Sequence, residues 1–98
     1  MARVSTVSSA HLLNVISAPE RAELIEDWLT SRVAKMLRVH KDEIDPTERF
    51  ENYGLGSYQG VMIAGDLSDW LERDLPETLI WDYPTIQEMA DYLSTELC

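Results

Sequence analysis

Apolar residues recur at three- and four-residue steps along most of the chain, and the phase resets wherever a proline or a glycine cluster intervenes. Leu24, Ile25, Trp28, Leu29, Val33, Met36 and Leu37 form one such stripe, the spacing of an amphipathic helix. Ser17-Ala18-Pro19-Glu20 precedes it with the composition of a capping box, and its proline falls where no helical amide is lost. A first helix is expected from there to about Val39, with Arg32, Lys35 and Arg38 late in it, where cations suit the negative helix end. Val61, Ile63, Ala64, Leu67, Trp70 and Leu71 define a second helix that starts at Ser57 and stops before Leu75-Pro76, because the residue ahead of a proline disfavours the helical region. Residues 77–82 suggest a short third helix. Thr85 and Glu88 offer another capping box, and Ile86, Met89, Ala90, Leu93 and Leu97 supply the buried face of a last helix.

Between the first two helices lies HKDEIDPTERFENYGLG. Ile44, Phe50, Tyr53 and Leu55 give this long connection enough apolar side chains to be pinned to a core. No strand pattern emerges. The expected fold is all-α, a small four-helix bundle of three main helices and one short one. Leu24, Trp28, Leu29, Val33, Leu67, Leu71, Ile86, Ala90 and Leu93 are its expected shared core. Residues 1–16 lack sustained periodicity and read as a flexible tail or linker with a helical turn near His11 to Val15, and residues 17–98 read as the folded domain.

Composition narrows the functional classes. Ninety-eight residues suit one small domain. No run approaches the about 18 apolar residues of a membrane span, and the first residues do not form a signal segment, so a cytoplasmic protein is expected. Cys98 is the only cysteine, which rules out an internal disulfide framework and the usual metal spacings. The net charge is −10, and from Lys41 onward fourteen Asp or Glu face Lys41, Arg49 and Arg73. That balance disfavours nucleic acid as a partner and favours basic protein surfaces.

The stretch GLGSYQG carries the most specific chemistry. A hydrolase elbow needs glycines two residues before and after the serine, where this chain has Leu55 and Gln59. A dinucleotide fingerprint needs its third glycine at 59, whereas the chain places it at Gly60, with no strand ahead. His11 and His40, the only imidazoles, have no patterned partner, so no catalytic residue is assigned. What remains is a serine at the first turn of a helix, flanked by Gly54 and Gly56, where free amides and the helix dipole favour an anion. Such a serine is a target for modification, or simply a helix cap.

The span from Phe50 to Leu93, with FENYGLGS upstream and LPETLIWDYPTIQEMADYL downstream, resembles the acyl carrier domains of modular polyketide synthases, whose usual pattern is LGxDS followed by LPxTLxFDYPT. The resemblance implies a four-helix bundle that is not itself an enzyme. It implies 4′-phosphopantetheine on Ser57, attached from coenzyme A by a phosphopantetheinyl transferase with magnesium, and acyl groups held on the cofactor thiol. The implied partners are that transferase, an acyl-loading enzyme (acyl-AMP ligase or acyltransferase), and a ketosynthase or other synthase domain, with an isolated carrier expected to be monomeric. Gly56, Tyr58, Met62, Asp66 and Trp81 are the expected docking residues. Trp28, Trp70 and Trp81 are candidates to line a groove for an acyl chain, although aromatic residues at helical spacing are more often plain core. Gly56 departs from the family's usual aspartate, and Met62 stands where many members have glutamate. The helix SYQGVMIAGDLSDWL is similar to carriers that work beside fatty acyl-AMP ligases. A peptidyl carrier and an unmodified acidic helical adaptor are the alternative readings.

Overall fold

A computed structural model describes Leu13 and residues 15–96; His11, Leu97, Cys98 and most of the expected tail lie outside the described residues. Helix α1 spans Ala18–Leu37. Its start is the expected capping box: the Ser17 hydroxyl accepts from the Glu20 amide, and the Glu20 carboxylate accepts from the Ser17 amide at 3.2 Å. The helix stops two residues short of the expected Val39. Arg38 turns left-handed at φ 59, and the Val39 amide folds back to the Ala34 carbonyl at 3.0 Å, which satisfies a carbonyl that would otherwise be orphaned.

Helix α2 covers Ser57–Leu71, α3 covers Leu79–Asp82 and α4 covers Ile86–Glu96. Among the described residues there is no strand. Helix α2 ends earlier than Pro76 requires, because Glu72 adopts a left-handed cap at φ 55 and the Leu75 amide donates to the Ser68 hydroxyl. At α4 the Thr85 hydroxyl accepts from the Glu88 amide at 3.0 Å, the expected cap.

The core is drawn from every element. Ile25, Leu29 and Val33 of α1 meet Ile63, Leu67 and Leu71 of α2, Leu79 of α3, and Ile86, Met89, Ala90 and Leu93 of α4. The long connection is ordered as expected: Ile44, Phe50 and Leu55 are buried in the same cluster. Tyr53 fastens its first half, accepting from the Asp45 amide at 2.6 Å and donating to the Asp45 carbonyl. Two backbone bonds fasten the connection to the corner between α3 and α4, from Phe50 to the Pro84 carbonyl at 2.8 Å and from Gln87 to the Pro46 carbonyl at 2.9 Å.

The inward face of α1 differs from the expected stripe. Leu24 is 42% exposed and Trp28 is only partly buried, while Arg21 is buried. Arg21, Ile25, Leu29 and Val33 follow strict four-residue steps, and Leu24 is turned about 100° from Ile25 around the helix. The Arg21 guanidinium donates from Nε to the Ser94 carbonyl at 2.8 Å, and from Nη1 to the carbonyls of Leu13 and Ile16 at 3.0 and 2.9 Å. These bonds satisfy a buried cation, as burial requires. They also tie Leu13, itself buried, and Ile16 to the bundle ahead of the boundary expected at Ser17. On α2, Val61 is 39% exposed and Trp70 partly buried, so both leave the expected inner face. Trp70 stacks on Trp28 instead, with centroids 5.1 Å apart, and Arg32 lies over Trp28 while reaching Asp66 at 3.4 Å.

Truncating Leu67, fully buried, to Ala is expected to cost about 2 to 5 kcal/mol in denaturant unfolding, whereas Leu24→Ala should stay within about 0.5 kcal/mol. Equal losses would contradict this assignment of helix faces.

Partial burial, together with Asp91 across the α1–α4 seam and Glu23 on its own helix, holds the Glu26 carboxyl above the usual glutamate range. A raised folded-state pKa stabilises the fold below the unfolded value and loses that contribution as pH rises through the folded value. Glu26→Gln should therefore stabilise the fold at neutral pH, by at most about 1 kcal/mol at this solvent-screened site, and the gain should vanish below about pH 4. Thermal unfolding of both proteins across that range checks the sign.

Candidate functional site

Ser57 is the first residue of α2, and Gly56, not Ser57, occupies the cap position. The alternative in which Ser57 caps its own helix is thereby corrected. Gly56 has no side chain to offer the first-turn amides. The only reciprocal contact is from Gln59, whose side-chain oxygen accepts from the Gly56 amide at 3.0 Å. No described side chain hydrogen-bonds the Ser57 hydroxyl, which is exposed, and the first turn of α2 contains no acidic residue. The helix thus presents a solvent-facing hydroxyl beside uncapped amides and the positive end of the dipole.

The approach to that hydroxyl is shaped by the connection. Phe50–Tyr53 forms a 3₁₀ turn that closes at Gly54 with φ 80, a left-handed conformation that glycine adopts without steric cost. The chain then runs through the buried Leu55 into Gly56.

Opposite, α3 lies against α2 at Gly60. A Cβ there would stand 2.6 Å from Cγ2 of Ile80, so only glycine permits this approach without displacing Ile80. The result is a cleft of about 160 Å³ beside Ser57, with Phe50, Leu55 and Ile80 as its apolar floor and Trp81 and Pro84 on its rim. Arg49 and Glu51 pair across its mouth at 3.1 Å.

The residues expected to act together separate into three places. Gly56, Ser57 and Trp81 border the cleft. Tyr58, 74% exposed, and Met62, 41% exposed, lie with Val61 at helical spacing on the outer face of α2. Asp66 continues that line but points its carboxylate to Arg32 of α1. Of the two readings of the tryptophans, a shared groove does not occur, whereas Trp28 and Trp70 pack against the core and only Trp81 borders the cleft. Trp28 and Trp70 stack near the other end of α2, about 20 Å from Ser57 by helical rise, because Trp70 of α2 meets α1 there and not α3. Arg49 and Glu51 do not stand out in the sequence, where they are two charges among many on a polar connection. Backbone contacts of the connection with the α3–α4 corner, among them the bond from Phe50 to Pro84 and the Arg49–Thr85 bridge, bring them to the cleft.

Residues 27–93 match the family described as the phosphopantetheine attachment site. The chain is 37% identical over 86 residues to the polyketide synthase GfsB of Streptomyces halstedii, an alignment covering 87% of this chain and 2% of that protein. Among solved structures it is 39% identical to a free-standing peptidyl carrier protein from Acinetobacter baumannii, with a TM-score of 0.70 over 84% of this chain and 98% of that one. It is 37% identical to Asl1650, an acyl carrier protein from Anabaena with a variant phosphopantetheinylation-site sequence, with a TM-score of 0.75 over 85% of this chain and 93% of that one. The chain therefore spans nearly all of these two carrier structures but only a small fraction of the synthase. Helix order, fold and the match over residues 27–93 agree that this chain belongs to the phosphopantetheine attachment family, as a carrier domain similar to those found in polyketide synthases.

Proposed function

We propose that Ser57 is the attachment residue and that the domain, residues 17–98, holds acyl or polyketide intermediates for partner enzymes of a cytoplasmic synthase. The observation that carries this reading is an exposed, uncommitted hydroxyl at the start of a long helix, beside a cleft, inside the matched span. These residues fit the group. An anionic phosphodiester suits uncapped helical amides with no acid in the first turn, and the apolar floor of Phe50, Leu55 and Ile80 suits a flexible arm or a short chain. When bound, the arm supplies the thiol that carries the acyl group. The protein's own residues need only expose the serine, keep α3 in place and offer a docking face, so no activating base is needed.

Gly56 leaves the position ahead of Ser57 uncharged. The variant attachment sequence of the Anabaena carrier is a precedent for a site that departs from the common pattern. The likeness to a peptidyl carrier supports a second reading, in which the cargo is aminoacyl. Charging by an amino-acid-activating enzyme in preference to an acyl-adenylating one would favour it.

Partners are a phosphopantetheinyl transferase, an acyl-loading enzyme such as an acyl-AMP ligase or acyltransferase, and a ketosynthase or other synthase domain. In this reading docking uses Tyr58 and Met62 on the outer face of α2 together with Gly56 and Trp81 at the adjoining cleft, with Asp66 at the far edge and partly neutralised by Arg32. No helix among the described residues is long and apolar enough to cross a membrane.

Ser57→Ala should leave stability within about 0.5 kcal/mol, since the hydroxyl makes no described bond. Incubated with coenzyme A, magnesium and a broad-specificity transferase, it should gain no cofactor mass while the parent is converted. A mass gain in the variant would reject Ser57, and no gain in the parent would leave the adaptor reading.

Met62→Glu should fold normally, because the side chain is 41% exposed on the outer face of α2 and lies outside the buried core. It should be modified at Ser57 by the same transferase yet be loaded more slowly by the dedicated acyl-loading partner. Burying a methionine contributes about 1.5 to 3 kcal/mol, against about 0 to 1 for an exposed ion pair. Loading rates at low and high salt decide the matter: an unchanged rate in the variant, or a parent rate that collapses with salt, would assign docking to the acidic residues.

A further inference from the structure

The cleft beside Ser57 has one cationic side chain at its mouth, Arg49, and one carboxylate, Glu51. Arg49 spends two of its donors on a single oxygen, with Nε and Nη2 at 3.2 and 3.1 Å from Oε1 of Glu51. A guanidinium binds best when its parallel donors meet two oxygens of one anion, and this pair falls short of that geometry. Both side chains are more than half exposed, at 55% and 68%, so water and salt compete with the contact. The backbone beneath Arg49 is, by contrast, well fixed: Arg49 bridges Thr85, and the next amide, of Phe50, donates to Pro84. A weakly committed guanidinium therefore projects from an anchored base at the cleft that Ser57 borders.

We propose that Arg49 is a positioning residue for the phosphodiester on Ser57, and that it exchanges Glu51 for that anion when the arm is attached. The proposal rests on the reading of Ser57 as the attachment residue. A phosphodiester presents two unesterified oxygens to the guanidinium fork, while the dipole and open amides of α2 attract the same charge from the other side. Glu51 is the competitor that occupies Arg49 before modification and is released afterwards. The arm then leaves Ser57 in a preferred direction along the cleft, toward Trp81 and Pro84.

The test compares apo and holo forms of the parent, R49Q, R49K and E51Q, with intact mass establishing conversion of each. If the parent gains no mass, the attachment reading fails first and separately. The readouts are the ³¹P resonance of the phosphodiester and the change in melting temperature from apo to holo within each protein, which cancels any effect of the substitution on the fold. At low salt the parent should gain stability on conversion. R49Q should lose most of that gain and shift the ³¹P resonance, R49K should keep part of it, and E51Q should increase it by removing the competitor. All gains should shrink near 1 M salt, where screening reaches about 3 Å. A holo R49Q with the parent's resonance and the parent's gain overturns the proposal, as does an E51Q whose gain is smaller than the parent's. Should R49Q fail to fold, R49K and E51Q still decide between the two outcomes.

Discussion

The arrangement depends on the methyl group that Gly60 lacks. Helix α3 has four residues, too few to be stable alone, so its position is set by what it leans on. It leans on α2 where Ile80 enters the space a side chain would fill. That contact fixes Trp81 and Pro84 opposite Ser57 and closes one wall of the cleft. The other wall comes from the long connection, held by backbone bonds to the α3–α4 corner. The Ser57 end is thus assembled from three segments distant in sequence, around a helix start that makes no demand on the serine itself.

The opposite end is built differently. There α1 and α2 are joined through the stacked Trp28 and Trp70, with Arg32 shared between the Trp28 ring and Asp66. The acidic surplus of the chain is therefore not all free surface charge, since some of it binds helices to one another. Arg21 repeats this use of a cation inside the bundle, where carbonyls from before α1 and late in α4 converge on one guanidinium. A fork of fixed donors suits that task better than a point charge.

Features set by neighbours in sequence are legible without the fold. The capping box at Ser17, the hydroxyl cap at Thr85, the start of α2 at Ser57 and the ordered connection are governed by contacts within a few residues, or by plain apolar content. Helix ends are less so: Arg38 and Glu72 are non-glycine residues in left-handed caps, so the usual glycine signal is missing. Periodicity places Leu24 on the wrong face of α1 because several stripes compete in that sequence, and only the position of α4 selects the one containing Arg21. The tryptophans illustrate the same limit, since residue type gives neither their partners nor the exposure of Trp81. Of the site, the serine is legible from its glycines and the downstream motif. The cleft, and Arg49 with Glu51 in it, require the fold.

The unequal settings of the three tryptophans make the domain optically informative without any added label. Trp28 and Trp70 are coupled ring to ring, with a guanidinium over Trp28, and their emission reports the integrity of the α1–α2 seam. Trp81 is 55% exposed on the rim of the cleft, where its emission responds to whatever lies beside Ser57. Replacing the stacked pair with phenylalanine leaves a single indole, whose fluorescence follows occupancy of the cleft in real time.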